Sequence, residues 1–412
     1  MIDKSSYKQR WLADRMREAV EFSPVIVLSG ARQTGKSTLL RNESPFREWH
    51  YVSFDDLDIL ALASKRPDEI LNISKNIIID EAQRSPDFMH AVKRAVDRDR
   101  SRRIILSGSA NMLLMRRLSE SLAGRAVYFS LMPFSLGELH EKKNKWFAQF
   151  LEKGTLTLIT NYDVPKMSQQ EILFNLFRGF LPPVAFLKKE SNIAMWWQGY
   201  IKTYLERDLR DISVISYLPD FRKIMEILSM RTGSLLKQSE ISRDVSLSQA
   251  TAGRYINILE ETNLFLKIRP YSKNISKRLI KSPKIFVVDT GLAASLAGFS
   301  SSVSLSQQFK GAMLEACVCL NLISAASLLD GKVLYFRTQG GKEKEVDFIF
   351  EKGDKIVGIE VKLSDSISAK DMESLLFLKD LTNRFTGGLI IYTGTGIKQM
   401  GENIFAVPIN ML

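Results

Sequence analysis

Near the start of the chain an apolar run, Val25-Ile26-Val27-Leu28, leads into Gly-x-x-x-x-Gly-Lys-Ser and then into "TLLRN". A buried strand, a glycine-framed loop and a helix in that order form the setting a phosphate-binding loop requires. Elsewhere the same glycines would be an ordinary turn. Gly30 and Gly35 let the backbone curl until the N–H groups of Gly30, Ala31, Arg32, Gln33, Thr34 and Gly35 face an anion. The helix opening with Lys36, Ser37 and Thr38 adds the positive end of its dipole. In that geometry Lys36 reaches the outer phosphates of a nucleotide and Ser37 ligates Mg²⁺.

A loop of this kind needs a second strand that ends in acid. "NIIIDEAQ" supplies it: Ile77, Ile78 and Ile79 precede Asp80 and Glu81, about 45 residues after Gly35. Asp80 is placed to hold Mg²⁺ and Glu81 to polarise an attacking water. "RRIILSGSAN" reads as a third strand, whose polar end carries Ser107, Ser109 and Asn111; Ser109 is the candidate sensor of the nucleotide. A fourth strand spans 126–131, with Arg125 at its start, either a finger toward a neighbouring subunit's nucleotide or a solvated arginine. With "WHYVSFDD" at 49–56, five strands alternate with helices, which predicts a parallel sheet covered on both faces.

Residues 141–215 read as amphipathic helices broken at "GFLPP", with Trp197, Tyr200 and Tyr204 on one stripe that suits a core. From about 216 the pattern becomes helix, short helix, helix and extended segment, the order of a winged helix-turn-helix. Its third helix would present Ser248, Gln249, Thr251 and Arg254. Residues 267–284 then carry seven Lys or Arg and no acid. The chain as a whole has a net charge of +12 and a pI of about 9.5. Both features fit an anionic partner such as nucleic acid, and both also fit plain solvation.

The last 120 or so residues read as a helix, three strands, a helix and two strands. Asp347 lies on the second of these strands. After twelve intervening residues Glu360 and Lys362 fall two apart on the third, hence on one face. That is the arrangement of a PD-(D/E)XK nuclease core. Asp347, Glu360 and the Val361 carbonyl would hold Mg²⁺, Lys362 would position water, and Glu315 could add an acid from the helix. Cys317 and Cys319 point to different sides of a helix and do not suit a disulfide, and no zinc spacing occurs. No cationic leader and no apolar run long enough to cross a bilayer stand out, so the expectation is a reduced, cytoplasmic protein without a membrane partner.

Taken together, "SGARQTGKSTLL", "IIIDEAQ", "SGSAN", "LAGRAVYFSLMPFSLGEL", "YLERDLRDI", "IRPYSKNISKRLIKSPKIFVVDTGL" and "EVDFIF…GIEVK" resemble the bacterial and archaeal AAA+-like ATPases with a C-terminal winged helix and nuclease-like fold. The resemblance implies ATP bound through Lys36, Mg²⁺ through Ser37 and Asp80, and hydrolysis through Glu81. It also implies four parts: an ATPase core at 1–140, a helical lid at 141–215, a winged helix at 216–285 and a nuclease-like domain at 286–412. This chain departs from the family at Arg178, where a second glycine is usual. Three functions stay open: an ATPase acting on nucleic acid with a metal-dependent nuclease; a nucleotide-gated regulator whose nuclease-like fold is silent; and an assembly protein with a protein partner or with copies of itself.

Overall fold

The computed structural model describes residues 7–108, 122–142, 145–156, 167–203, 215, 217–272, 282–338 and 344–412. They form two compact units, 1–132 with 258–264, and 133–257 with 265–412.

In the first unit the order is α1 (Leu12–Phe22), β1 (Val25–Ser29), α2 (Lys36–Asn42), β2 (His50–Ser53), α3 (Leu57–Lys65), α4 (Pro67–Leu71), β3 (Asn76–Asp80), α5 (Phe88–Arg98), β4 (Arg103–Ser107) and β5 (Ala126–Ser130). The five strands pair in parallel in the order β2-β3-β4-β1-β5. Successive side chains in a strand point to opposite faces, and the core divides accordingly. Val25, Val27, Ile77, Ile79, Ile104 and Leu106 pack with Ile70, Phe88 and Val92. Ile26, Leu28, Ile78 and Ile105 pack with Leu12, Met16, Leu39 and Leu40. Helices thus cover both faces, as the apolar character of the strands required.

The second unit begins with the helices α6 (Leu136–Leu139), α7 (Lys145–Lys153), α8 (Gln169–Arg178) and α9 (Glu190–Thr203). Trp197 and Tyr200 of α9 are buried, while Tyr204 lies outside the described residues. The break after α8 has a specific cause. Gly179 has φ +85°, and the Asp289 carboxylate accepts the N–H groups of Phe180 and Leu181, each at 2.8 Å. Asp289 also caps a later helix through Gly291 N–H at 2.8 Å. Arg178 therefore changes none of these backbone contacts, which need only the glycine that follows it.

Next come α10 (Leu218–Met230), α11 (Gln238–Asp244), α12 (Gln249–Glu261), β6 (Phe265–Pro270) and β7 (Lys284–Val287). Ser248 caps α12, its hydroxyl accepting Thr251 N–H at 3.1 Å. Strands β6 and β7 pair antiparallel, and Leu235 bridges to Lys284. Lys277, Arg278 and Lys281 of the basic run lie outside the described residues.

The chain ends with α13 (Thr290–Leu296), α14 (Gln307–Leu329), β8 (Lys332–Arg337), β9 (Glu345–Lys352), β10 (Lys355–Lys362), α15 (Glu373–Leu381), β11 (Phe385–Tyr392), β12 (Lys398–Gly401) and β13 (Ile404–Pro408). Its sheet has eight strands in the order β12-β13-β11-β10-β9-β8-β6-β7. Strand β12 has no counterpart in the sequence reading, because "KQMG" carries no alternation of apolar residues. Helix α14 corrects another expectation: its 23 residues are long and apolar enough, by length and composition, to cross a membrane. Here its apolar surface is packed inside the fold, with Met313, Leu314, Cys317, Val318, Cys319 and Leu320 all buried. Both thiols are free, and burial lifts each well above the ordinary thiol range.

Candidate functional site

Two groups of polar side chains are buried where a folded chain normally places apolar ones. The first surrounds the turn between β1 and α2. Gly35 adopts φ 94°, and Gly30, at φ 149°, approaches so closely that a β-carbon there would stand 2.5 Å from the Leu131 carbonyl oxygen. Only glycine fits both demands. Arg10, itself buried, ties the loop down from outside: its guanidinium donates to Thr34 O at 2.8 Å and to Met132 O at 2.6 Å.

Inside the loop Lys36 is 7 % exposed, and its ammonium donates to Gly30 O and Ala31 O, each at 3.0 Å. Burial lowers its pKa to about 8, partly offset by Glu81 and Asp80. An anion in the loop would restore the charge that burial disfavours. The Ser37 hydroxyl donates to Asp80 Oδ2 at 2.7 Å, and the Tyr51 hydroxyl donates to the same oxygen. Asp80 Oδ1 is buried and has no hydrogen-bond partner. An orphaned carboxylate oxygen beside a serine hydroxyl fits Mg²⁺, which commonly takes one or two carboxylates and otherwise keeps water or phosphate oxygens.

Glu81 follows at φ 53°, a left-handed conformation that costs a non-glycine residue about 1–2 kcal/mol. This turn sets its carboxylate beside the loop, where Gln83 donates to it and burial raises its pKa. Strand β4 lies between β1 and β3, so the Lys36–Ser37 and Asp80–Glu81 pairs flank the end of β4 at Gly108. Ser109 and Asn111, next in sequence, lie outside the described residues. Ala31, Arg32, Gln33 and Thr38 belong to the same loop and first helical turn. Arg125 is placed elsewhere. It precedes β5, at the opposite end of the sheet from the loop, and binds Asp97 through two contacts of 2.6 and 3.0 Å.

The second group lies in the second unit, where β9 and β10 run antiparallel and set Asp347 beside Glu360. Asp347 Oδ2 accepts Val361 N–H at 2.8 Å, and Lys362 donates to Glu360 Oε2 at 2.9 Å. Glu315 of α14 joins them through Lys284, whose ammonium is 3.0 Å from Glu315 Oε1 and 2.6 Å from Glu345 Oε1. Burial and the neighbouring Asp347 raise Glu315 and Glu360, each to about 8. Burial works against the charge on Lys284, but Glu315, Asp347 and Glu345 outweigh it and hold the ammonium above the ordinary lysine range. Among the described residues, no trio of acids, histidines or cysteines is arranged to hold a metal ion.

Four contributors were missed in the sequence. Tyr51, Arg10 and Lys284 act through partners far away in the chain. Gln83 sits two residues after Glu81, and that proximity was the one available signal.

Three family models match successive stretches of the chain. Residues 22–140 match the AAA domain, 169–303 a domain of unknown function (DUF8612), and 310–412 another (DUF4143). An uncharacterized protein of Mycobacterium tuberculosis is 31 % identical over 98 % of this chain and 84 % of its own length. One of Haemophilus influenzae is 23 % identical over 92 % of this chain and 91 % of its own. Among solved structures, a Walker-type ATPase of Pyrococcus abyssi aligns over 71 % of this chain and 97 % of its own, at 18 % identity and a TM-score of 0.45.

Proposed function

The chain belongs to the family of its mycobacterial relative, a P-loop ATPase family with an AAA domain at 22–140, and on that premise we propose that it hydrolyses ATP and couples the nucleotide state to nucleic-acid binding. The observation that carries the first half is the convergence of buried Lys36, the Ser37–Asp80 contact and Glu81 on one loop. Lys36 exchanges its two loop carbonyls for phosphate oxygens. Ser37 and Asp80 would hold Mg²⁺, which supplies charge neutralisation at the phosphates. Glu81, its basicity raised by burial and its carboxylate oriented by Gln83, takes a proton from the attacking water. Tyr51 keeps Asp80 turned toward Ser37.

For the second half, helices α10, α11 and α12 followed by the β6–β7 pair have the order of a winged helix, with Ser248 exposed at the cap of α12 and Gln249 and Arg254 exposed on it. A cavity of about 390 Å³ in the same unit is lined by Lys267, Arg269 and Lys332, next to Ser327 and Gly331. The three cations share that hollow with Ile323, Ala326, Val333 and Leu334, and they suit an anionic partner. The α14-β8-β9-β10-α15-β11 order and the Asp347, Glu360 and Lys362 set support a nuclease-like fold. A second reading, a nucleotide-gated binder with silent acids, is favoured by the Lys362–Glu360 pair, which ties up the amine that cleavage would use. Arg125 remains a candidate finger only in a homo-oligomer; mixing Arg125→Ala with Glu81→Gln subunits tests this, since a finger acting in trans restores activity.

The test of the main reading is DNA binding by the purified chain at several salt concentrations, with and without ATP and Mg²⁺, alongside phosphate release. Nucleotide-dependent, salt-sensitive binding supports it. ATP hydrolysis that is indifferent to DNA, with no binding in any nucleotide state, would leave the assembly-protein reading with a protein partner.

A further inference from the structure

A nuclease-like fold leads one to expect a divalent cation between Asp347 and Glu360, and the residues present do not fit one. Lys284 is 4 % exposed, with its ammonium between Glu315 Oε1 at 3.0 Å and Glu345 Oε1 at 2.6 Å and 5.7 Å from the centre of the Tyr335 ring. On the other side Lys362 donates to Glu360 at 2.9 Å. The acids Glu315, Glu345, Asp347 and Glu360 therefore already meet two ammonium groups within their own unit. Glu360 Oε1 is the exception, buried and without a partner.

Buried carboxylates left to themselves repel, and a compact cation among them relieves that repulsion. We propose that Lys284 is the built-in cation of this cluster, a tethered ammonium standing where metal-dependent relatives of the fold would hold a divalent ion. The nuclease-like reading enters only through that comparison; the cage itself is made of the contacts given above. Two features of the chain suit the role. Lys284 opens β7, so main-chain pairing with β6 and with Leu235 fixes where its side chain starts. Glu315 comes from α14 with its side chain 18 % exposed, and its carboxylate is already held by the Lys284 ammonium at 3.0 Å. The consequence is that the second unit balances its acids without recruiting Mg²⁺, and engages its partner without metal-dependent cleavage. Removing the ammonium leaves Asp347, Glu315 and the unpaired oxygen of Glu360 one positive charge short, which favours uptake of a divalent cation once those side chains rearrange around it.

The experiment is a nucleotide-free Mn²⁺ titration of the full chain, followed calorimetrically, for wild type, Lys284→Met and Lys284→Arg, each with and without Asp347→Asn. Subtracting the Asp347→Asn partner removes any Mn²⁺ held at Ser37 and Asp80. The expected result is no Asp347-dependent uptake in wild type or Lys284→Arg. Lys284→Met should gain one ion, bound at least about tenfold more tightly than by wild type, because a unit charge has left a poorly screened cluster. A folded Lys284→Met chain without that gain overturns the proposal, and so does Asp347-dependent uptake by wild type. If Lys284→Met does not fold, wild type against Asp347→Asn still decides. Uptake overturns the proposal. No uptake, with a folded Lys284→Arg chain, supports it. Plasmid nicking tells the two readings apart. Mn²⁺-dependent nicking by wild type that Asp347→Asn abolishes refutes the tethered cation and keeps the nuclease, whereas absence of DNA binding refutes the nucleic-acid reading and leaves the cage intact.

Discussion

The Ser37 hydroxyl donates to Asp80 Oδ2 across 2.7 Å, joining the first turn of α2 to the last residue of β3. Tyr51 donates to the same oxygen from the edge strand β2. A side chain that orients a metal-holding carboxylate commonly matters about tenfold or more to affinity. Tyr51→Phe should therefore raise the Mg²⁺ concentration needed for half-maximal ATP hydrolysis by about tenfold, with little change in the maximal rate. A shift in maximal rate alone, at unaltered Mg²⁺ dependence, would contradict this role.

Lys36 and Glu81 share the loop but have different tasks. Lys36→Ala removes the charge that meets the phosphates and should abolish nucleotide binding in a fluorescent-nucleotide titration. Glu81→Gln keeps the shape and removes the base, so binding should persist while turnover drops by about 100-fold or more. Equal loss of binding in both variants would sink the division.

The first unit was largely legible in the sequence, because parallel buried strands write themselves as continuous apolar runs and the loop glycines fall between such a strand and a helix start. What stayed hidden depended on contacts between distant residues. Lys284 read as the last cation of a basic run that fits phosphate contacts or plain solvation; the acids that hold it, Glu315 and Glu345, lie 31 and 61 positions away. Arg10 did not stand out in the sequence, since nothing local announces the Thr34 and Met132 carbonyls. Arg125 read as a strand opener with two possible roles, and the Asp97 partner that holds it lies on α5. Glu360 and Lys362 were correctly placed on one face by strand period alone.

Asp289 provides a test by pH. It is buried, and that burial raises its pKa from 3.8 to about 6 against the pull of the Phe180, Gly291 and Leu181 N–H groups. The folded chain therefore holds this proton more tightly than the unfolded chain does. The contribution is fully present below about pH 4 and is lost as pH rises through 6. The difference in unfolding temperature between wild type and Asp289→Ala should shrink across that window and then level off. A difference that grows with pH from 4 to 6 would contradict the assignment.

The basic hollow predicts a change in slope more than in preference. If Arg269 and Lys332 meet phosphates, Arg269→Gln with Lys332→Gln should weaken DNA binding evenly across sequences. The slope of log affinity against log salt should fall by about one unit for each phosphate that no longer faces a cation. Both residues are exposed, so the unfolding temperature should stay where it is. An unchanged slope in a folded double variant returns them to plain solvation.

Cys317 and Cys319 sit inside α14 with their thiols buried and held protonated. A thiol reagent therefore meets nothing to react with until that helix is exposed. The pair is a natural stopwatch: the rate at which a dilute alkylating agent consumes two thiols per chain measures how often the second unit opens. Run with and without ATP, the same measurement reports whether nucleotide held in the first unit slows the opening of the second, with no label or engineered residue added.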